Sequence, residues 1–376
     1  MRKSSKTIIW QIACAILFGS TAAANKEPKE FTTEGFRIPQ PHAELVFPRV
    51  HASHPDYKIE WWYLTGHLYA LTGERFGYQA TFFRSAAKPK QESSSPAFNN
   101  GQHHLTHMAI TDVSGESFHF EQRFSREGWD AYARTERLEV RHGNWSLDSN
   151  PDASIINLRT SIHSDAELQL TLRPEKGLVR FGEDGTSRKG PSPEARSFYL
   201  TFPRMTTTGI LKIDDRELQV SGLSWMDHEI ASKQLDPSYT GWDWIAIQLK
   251  DGWEVKAYLL REKDASPSPY SMLIWIDPEG KTYYQDINLF EWRKPSYWKS
   301  PSTKASYPNS PTIRAIHPTT SLPVEFNFKP VLDDQELVIP GSTYWEGAGR
   351  ILDTNGNEIG AAYLELVGYA GQIRGL

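Results

Sequence analysis

Two-residue alternation of apolar and polar side chains is frequent in this chain, and helical periodicity is hard to find. In Ala166-Glu-Leu-Gln-Leu-Thr-Leu-Arg173, Leu168, Leu170 and Leu172 fall on one face. Phe76, Tyr78, Ala80 and Phe82 share a face in the same way, as do Phe198, Leu200 and Phe202. A period of two belongs to a strand with one buried side. Turn signals separate such runs: Asp214-Asp215, Lys250-Asp251-Gly252, Asp277-Pro278-Glu279-Gly280 and Thr354-Asn355-Gly356-Asn357. Short alternating strands with regular turns predict an all-β sandwich or barrel.

The N-terminus has another pattern. MRKSSK carries Arg2, Lys3 and Lys6, an apolar run follows from Ile8 to Phe18, and Ala22-Ala23-Ala24 closes it. A charged start, a short apolar stretch and small residues are the parts of a secretory signal peptide. The run falls short of the ~20 residues that a membrane span needs. Residues 1–24 are therefore expected to be a cleaved leader and the mature protein to be secreted, in the periplasm. The sole cysteine, Cys14, lies inside that leader. The expected mature chain then has no disulfide, no cysteine nucleophile and no zinc–thiolate site.

Residues 25–42 form a polar lead-in. The remainder is long enough for two domains at ~100–200 residues each. A faint echo supports that division: Phe76-Gly-Tyr-Gln-Ala-Thr-Phe-Phe-Arg84 matches Trp253-Glu-Val-Lys-Ala-Tyr-Leu-Leu-Arg261 in pattern. Two packed antiparallel β-barrels are expected, over 43–229 and 230–376. Residues 85–102, 182–196 and 293–312 read as long exposed loops. The formal net charge is −5 and no basic stripe stands out, which argues against nucleic acid as a partner. Thirteen tryptophans point instead to a large core or to a site for an apolar ligand.

Several motifs together resemble the AttH/CrtC family. They are His54-Pro55-Asp56-Tyr57 with Glu60-Trp61-Trp62-Tyr63 and Gly66, His107-Met108-Ala109-Ile110-Thr111-Asp112, and Ser224-Trp225-Met226-Asp227-His228-Glu229. Gly241-Trp242-Asp243-Trp244, Tyr344-Trp345-Glu346-Gly347 and Tyr363-Leu-Glu-Leu-Val-Gly-Tyr369 complete the set. The resemblance implies two lipocalin-like (calycin) barrels and a relation to carotenoid 1,2-hydratases, with the secreted bacterial members most similar. It also implies functional His, Trp, Tyr and Asp residues near the domain junction. The nearest positions here are Asp227-His228-Glu229 and Trp242-Asp243. The chain departs from the hydratase pattern, which has His and Asn-Trp where Asp227 and Glu229-Ile230 stand.

The residue types suit acid–base chemistry. On a strand, Asp227 and Glu229 point the same way, ~6.6 Å apart, and His228 points away. Two carboxyls facing one apolar cavity do not both ionise cheaply, so one serves as acid and the other as base. Adding water across a carbon–carbon double bond needs both. Trp62, Trp225, Trp242 and Trp244 would wall the ligand and stabilise a cationic intermediate. Asp227, His228, Glu229 and Asp243 are thus the candidate catalytic residues, and Glu60 joins the tryptophans as a candidate ligand-binding residue. The alternative is that Asp227 and Glu229 are structural ion pairs.

No metal or other cofactor is expected. His103 and His107 would lie ~13 Å apart on a strand, too far to share an ion. Gly222-Leu223-Ser224-Trp225-Met226 fails the last position of a G-x-S-x-G elbow, so a serine hydrolase is unsupported. The expected partner is an apolar small molecule, isoprenoid, polyketide or lipid-like. A hydratase or isomerase would transform it. A non-catalytic carrier would hand it on unaltered, with membrane or envelope transport components as further candidate partners.

Overall fold

The computed structural model describes residues 29–89, 101–233, 235–341 and 343–371. The expected leader and residues 90–100 of the expected loop 85–102 lie outside them. Two antiparallel sheets of 13 and 10 strands, each curled into a barrel or half-barrel, make up the fold. Among the described residues the one helical element is a 3-10 turn at Arg49–His51.

The first sheet is closed by its own ends in sequence: its first long strand, Ile59–Ala70, pairs with its last, Arg216–Ala231. On one side follow Arg75–Ala86, Gln102–Asp112 and Ser117–Arg126. On the other follow Arg196–Ile213, Ala166–Pro174, Ile156–Ile162 and three shorter strands. The alternating runs behave as their period requires. Leu168, Leu170 and Leu172 share a core with Phe76, Tyr78, Ala80 and Phe82, and with Trp62 and Leu64. Asp214 and Asp215, both with positive φ (48° and 59°), make the two-residue turn that joins the two longest strands.

The second sheet is built on Tyr239–Leu249, flanked by Glu254–Glu262 and Glu358–Leu366, with Tyr344–Leu352 beyond the latter. Ile245, Ile247, Val255, Trp275 and Trp345 fill its interior. The segments that carry the internal echo hold the same place in each sheet, beside the strand that carries Trp61 or Trp242. Residue 230, where the second domain is expected to open, lies in the last strand of the first sheet.

The sheets meet through their outer faces, not through either interior. Tyr63, Tyr199, Trp225, Trp244, Tyr258 and Tyr363 form a third core along this seam. Several polar groups there are matched across it. Gln248 donates to the carbonyls of Pro203 (2.8 Å) and Ser224 (3.0 Å), and Pro203 lies in the bulge that interrupts the Arg196–Ile213 strand. Glu254 takes Lys176 (2.7 Å) and Arg204 (2.5 Å) from the first barrel's side. Close approach of the sheets needs Gly77, where an added Cβ would stand 2.5 Å from the Ala348 Cβ; within the first sheet, one added at Gly222 would stand 1.9 Å from the carbonyl oxygen of His67.

Two expected loops are more ordered than their composition suggests. Residues 293–312 contain a small ladder, Trp298–Lys299 with Ser306–Tyr307, and Tyr307 is fully buried, its hydroxyl donating to Glu336 (2.7 Å). Residues 182–196 contribute the strand Ser187–Arg188 and place Lys189 in the seam. An aromatic ring or an aliphatic stem under a polar segment is enough to dock it, and polar composition alone hides that.

Candidate functional site

Strand alternation determines which side chains reach the seam. Along Arg216–Ala231, Trp225, Asp227 and Glu229 point outward from the first barrel, whereas Met226 enters its core and His228 stacks on Trp62 (ring centroids 4.8 Å). On the facing strand Tyr239–Leu249, Trp242 and Trp244 point into the seam and Ile245 and Ile247 into the second core. Between these faces lies a cavity with about 90 Å³ open to the centre of a water molecule. A single water needs ~10–15 Å³ by that measure, so the space admits an organic molecule.

The floor is acidic and the walls are aromatic. Asp227, Glu229 and Glu365 all line the cavity. Tyr63, Tyr199, Trp244, Tyr258 and Tyr344 surround them. Half-buried Trp61, Phe83, Leu235 and Trp242 lie toward solvent and give the mouth an apolar rim.

Each carboxyl has a different setting. Asp227 accepts from the Tyr199 hydroxyl at Oδ2 (2.6 Å), from Trp225 Nε1 at Oδ1 (2.8 Å), and from Thr201 Oγ1. Three donors suit the ionised form, which only accepts. Glu229 lies 3.4 Å from Lys189 Nζ; burial raises its pKa, against the pull of that ammonium. Glu365 receives one hydrogen bond, from Trp242 Nε1 to Oε2 (3.1 Å). Burial pushes the Glu365 carboxyl up to about 7, against that bond and with the charges of Asp227 and Glu229 behind it. Glu365 is therefore poised to exchange a proton near neutrality, beside an anchored anion.

Supporting groups stand behind the walls. Tyr63 donates to Glu346 Oε1 (2.6 Å), whose pKa burial and the nearby Glu365 raise well above the carboxylate range. His107 pairs with the Tyr344 hydroxyl through Nδ1 (2.9 Å), and burial lowers its pKa to about 3, so it is neutral. Lys256 is fully buried, its Nζ 3.0 Å from the Tyr199 ring centroid and without a hydrogen-bond partner among the described residues; burial lowers its pKa strongly.

Four expected site residues are elsewhere. Glu60 and Trp62 face away from the cavity, and their neighbours Trp61 and Tyr63 line it instead. Trp62 belongs to the first barrel's core. Glu60 accepts from Ser53 (3.0 Å), the His54 backbone (2.8 Å) and Arg84 (3.0 Å), with His54 Nδ1 and His228 Nε2 on its other oxygen (2.8 and 2.9 Å). Burial alone would raise its pKa, but these partners hold it well below the usual range. His228 is thereby a structural partner of Glu60, on the opposite face from the cavity. Asp243 also points away; Arg261 and Lys294 (2.7 Å) neutralise it and the Tyr369 hydroxyl donates to it (3.0 Å). Trp225 touches the site indirectly, through its bond to Asp227.

The ligand atoms of His54, Glu60 and His228 come within 4.8 Å of one another, a spacing that a metal could use. Ionised Glu60 only accepts, so both imidazole nitrogens facing it carry protons and offer no lone pair there. Arg84 on the same carboxylate adds a cation where a second would go. The trio fits a hydrogen-bonded knot better than a metal centre.

Sequence reasoning missed Glu365, Tyr199, Tyr258 and Lys189. Glu365 and Glu346 do occur in the two C-terminal motifs, but nothing local in those motifs says which face they take. For Glu365 that depends on pairing with Tyr239–Leu249, more than 100 residues away.

The sequence family described as AttH-like matches residues 38–369. Among solved structures, a candidate AttH from Nitrosomonas europaea is similar at 33% identity, with a TM-score of 0.77, over 88% of this chain and 98% of that one. Kievitone hydratase from Nectria haematococca shares the fold at 16% identity and a TM-score of 0.65, over 91% and 98% of the two chains. CghA in complex with Sch210972 does so at 11% and 0.54, over 92% and 98%. No curated protein matches this sequence.

Proposed function

The chain belongs to the AttH-like family, and we propose that it binds a largely apolar, unsaturated small molecule in the seam and acts on it by acid–base chemistry, as a hydratase or isomerase. The observation that carries this reading is the convergence of Asp227, Glu229 and Glu365 on one aromatic cavity. Glu365 would deliver a proton to the double bond. Trp242, Trp244 and Tyr63 would face the resulting cation with their electron-rich rings. Asp227, held by three donors, would accept the proton of the incoming water, or one from the neighbouring carbon in an isomerisation. The fold shared with kievitone hydratase, and with CghA bound to a small molecule, supports small-molecule chemistry.

A carrier is the second reading, favoured by the apolar rim of Trp61, Phe83, Leu235 and Trp242. Under either, the protein works outside the cytoplasm once its leader is removed. The test is to extract the ligand that co-purifies with protein recovered from the periplasm, return it to wild type, Glu365→Gln and Asp227→Asn, and follow its mass and isomer composition. Catalysis predicts a +18 Da or isomerised product from wild type and at least ~100-fold slower conversion by either variant, with binding retained. Ligand released unchanged by wild type would leave the carrier.

A further inference from the structure

We propose that the seam chamber selects uncharged ligands and rejects the anionic form of the same skeleton, so that its ligands are neutral alcohols, ketones, phenols or polyenes and not fatty acids or phosphate esters. This rests on the binding role proposed above and extends it to ligand class.

The charges of the described residues that face the cavity set this preference. Three carboxyl groups line it, and one cation does. That cation, Lys189, lies 3.4 Å from Glu229 Oε1 and between the rings of Tyr199 and Tyr258, 4.6 Å from each centroid. Its charge therefore offsets Glu229, and an incoming anion would have to break that pair. Lys256, the other nearby amine, is sealed behind Tyr199 and does not line the cavity. His107 is neutral. What remains is Asp227, unopposed by any lining cation among the described residues and held by neutral donors, with Glu365 adding negative charge as pH rises. A ligand carboxylate among these groups would meet like charge in a site where burial weakens screening. A neutral hydroxyl or carbonyl meets compatible partners: Glu365 Oε1 bonds to no described residue, and a carboxyl near neutrality both donates and accepts.

The test uses two fluorescent probes with one ring skeleton, N-phenyl-1-naphthylamine (neutral) and 8-anilino-1-naphthalenesulfonate (anionic). Each is titrated into the wild-type protein at pH 7.5, with energy transfer from tryptophan as the readout. The neutral probe is expected to bind at least ~10-fold more tightly. In Asp227→Asn the ratio is expected to fall several-fold through a gain for the sulfonate alone. Equal affinities, or a ratio that survives in a folded Asp227→Asn protein, would overturn the selection by charge. If neither probe reaches the seam, the apolar binding site itself is refuted, which is a different failure.

Discussion

Glu346 and Glu365 stand directly opposite each other on the neighbouring strands Tyr344–Leu352 and Glu358–Leu366, Glu346 fully buried and Glu365 half-buried at the cavity. Like charges in that relation repel, so the pair cannot hold two negative charges cheaply. The Tyr63 hydroxyl caps Glu346, and Glu365 opens on the cavity. The arrangement keeps a proton at the site.

Stability should record that proton. Glu365 titrates near 4.5 unfolded and about 7 folded. Its contribution is fully present below pH 4.5 and is lost as pH rises to about 7. Glu365→Gln carries no charge at any pH. The variant should gain on wild type across that window, by on the order of 3 kcal/mol above pH 7. Urea midpoints at pH 4.5 and 8 check this; an equal gap at both would contradict the assignment.

Arg84→Met should destabilise the fold by about 3–5 kcal/mol, because it removes the guanidinium beside the buried Glu60 carboxylate and the donor to Gln102 and to the His54 and Tyr57 carbonyls. Adding Glu60→Gln should recover part of the loss. Residual folded protein should bind the neutral probe as wild type does, since neither residue reaches the cavity. Paired denaturation and probe titrations would separate the two effects.

Lys256→Met should stabilise the protein at neutral pH. Burial favours the neutral amine in the folded state, while the unfolded chain takes up a proton there. Wild-type stability should thus improve as pH climbs toward 10.5, and the advantage of the variant should shrink over the same range. Thermal midpoints at pH 6 and 10 measure it. A lower midpoint for the variant at pH 6 would mean that the surrounding rings hold an ammonium.

Gly222→Ala should loosen the pairing of Ile59–Ala70 with Arg216–Ala231, because its Cβ would press on the His67 backbone. A loss of about 1–3 kcal/mol is expected. Faster amide hydrogen exchange confined to those two strands would locate it.

The period-two runs made the β-class, the turn positions and the core face of several strands legible from the sequence. The same rule put Asp227 and Glu229 together and turned His228 away. It could not decide between Trp61 and Trp62, because both faces of that strand are covered: one by the barrel's own core, the other by the second sheet. Asp243 failed for a related reason. Trp242 and Trp244 flank it and do face the cavity, so alternation alone removes Asp243, and Arg261 and Lys294 receive it on the far side. Glu365 was hidden because its partners come from distant strands.

Alternation along Ile59–Ala70, Arg216–Ala231 and Tyr239–Leu249 gives odd and even positions separate duties. One set maintains the hydrophobic interior of its own barrel; the other shapes what the seam accepts. Selection for a new ligand can therefore rewrite every second residue of these strands while the intervening ones, and with them the packed interior of each half, stay as they are.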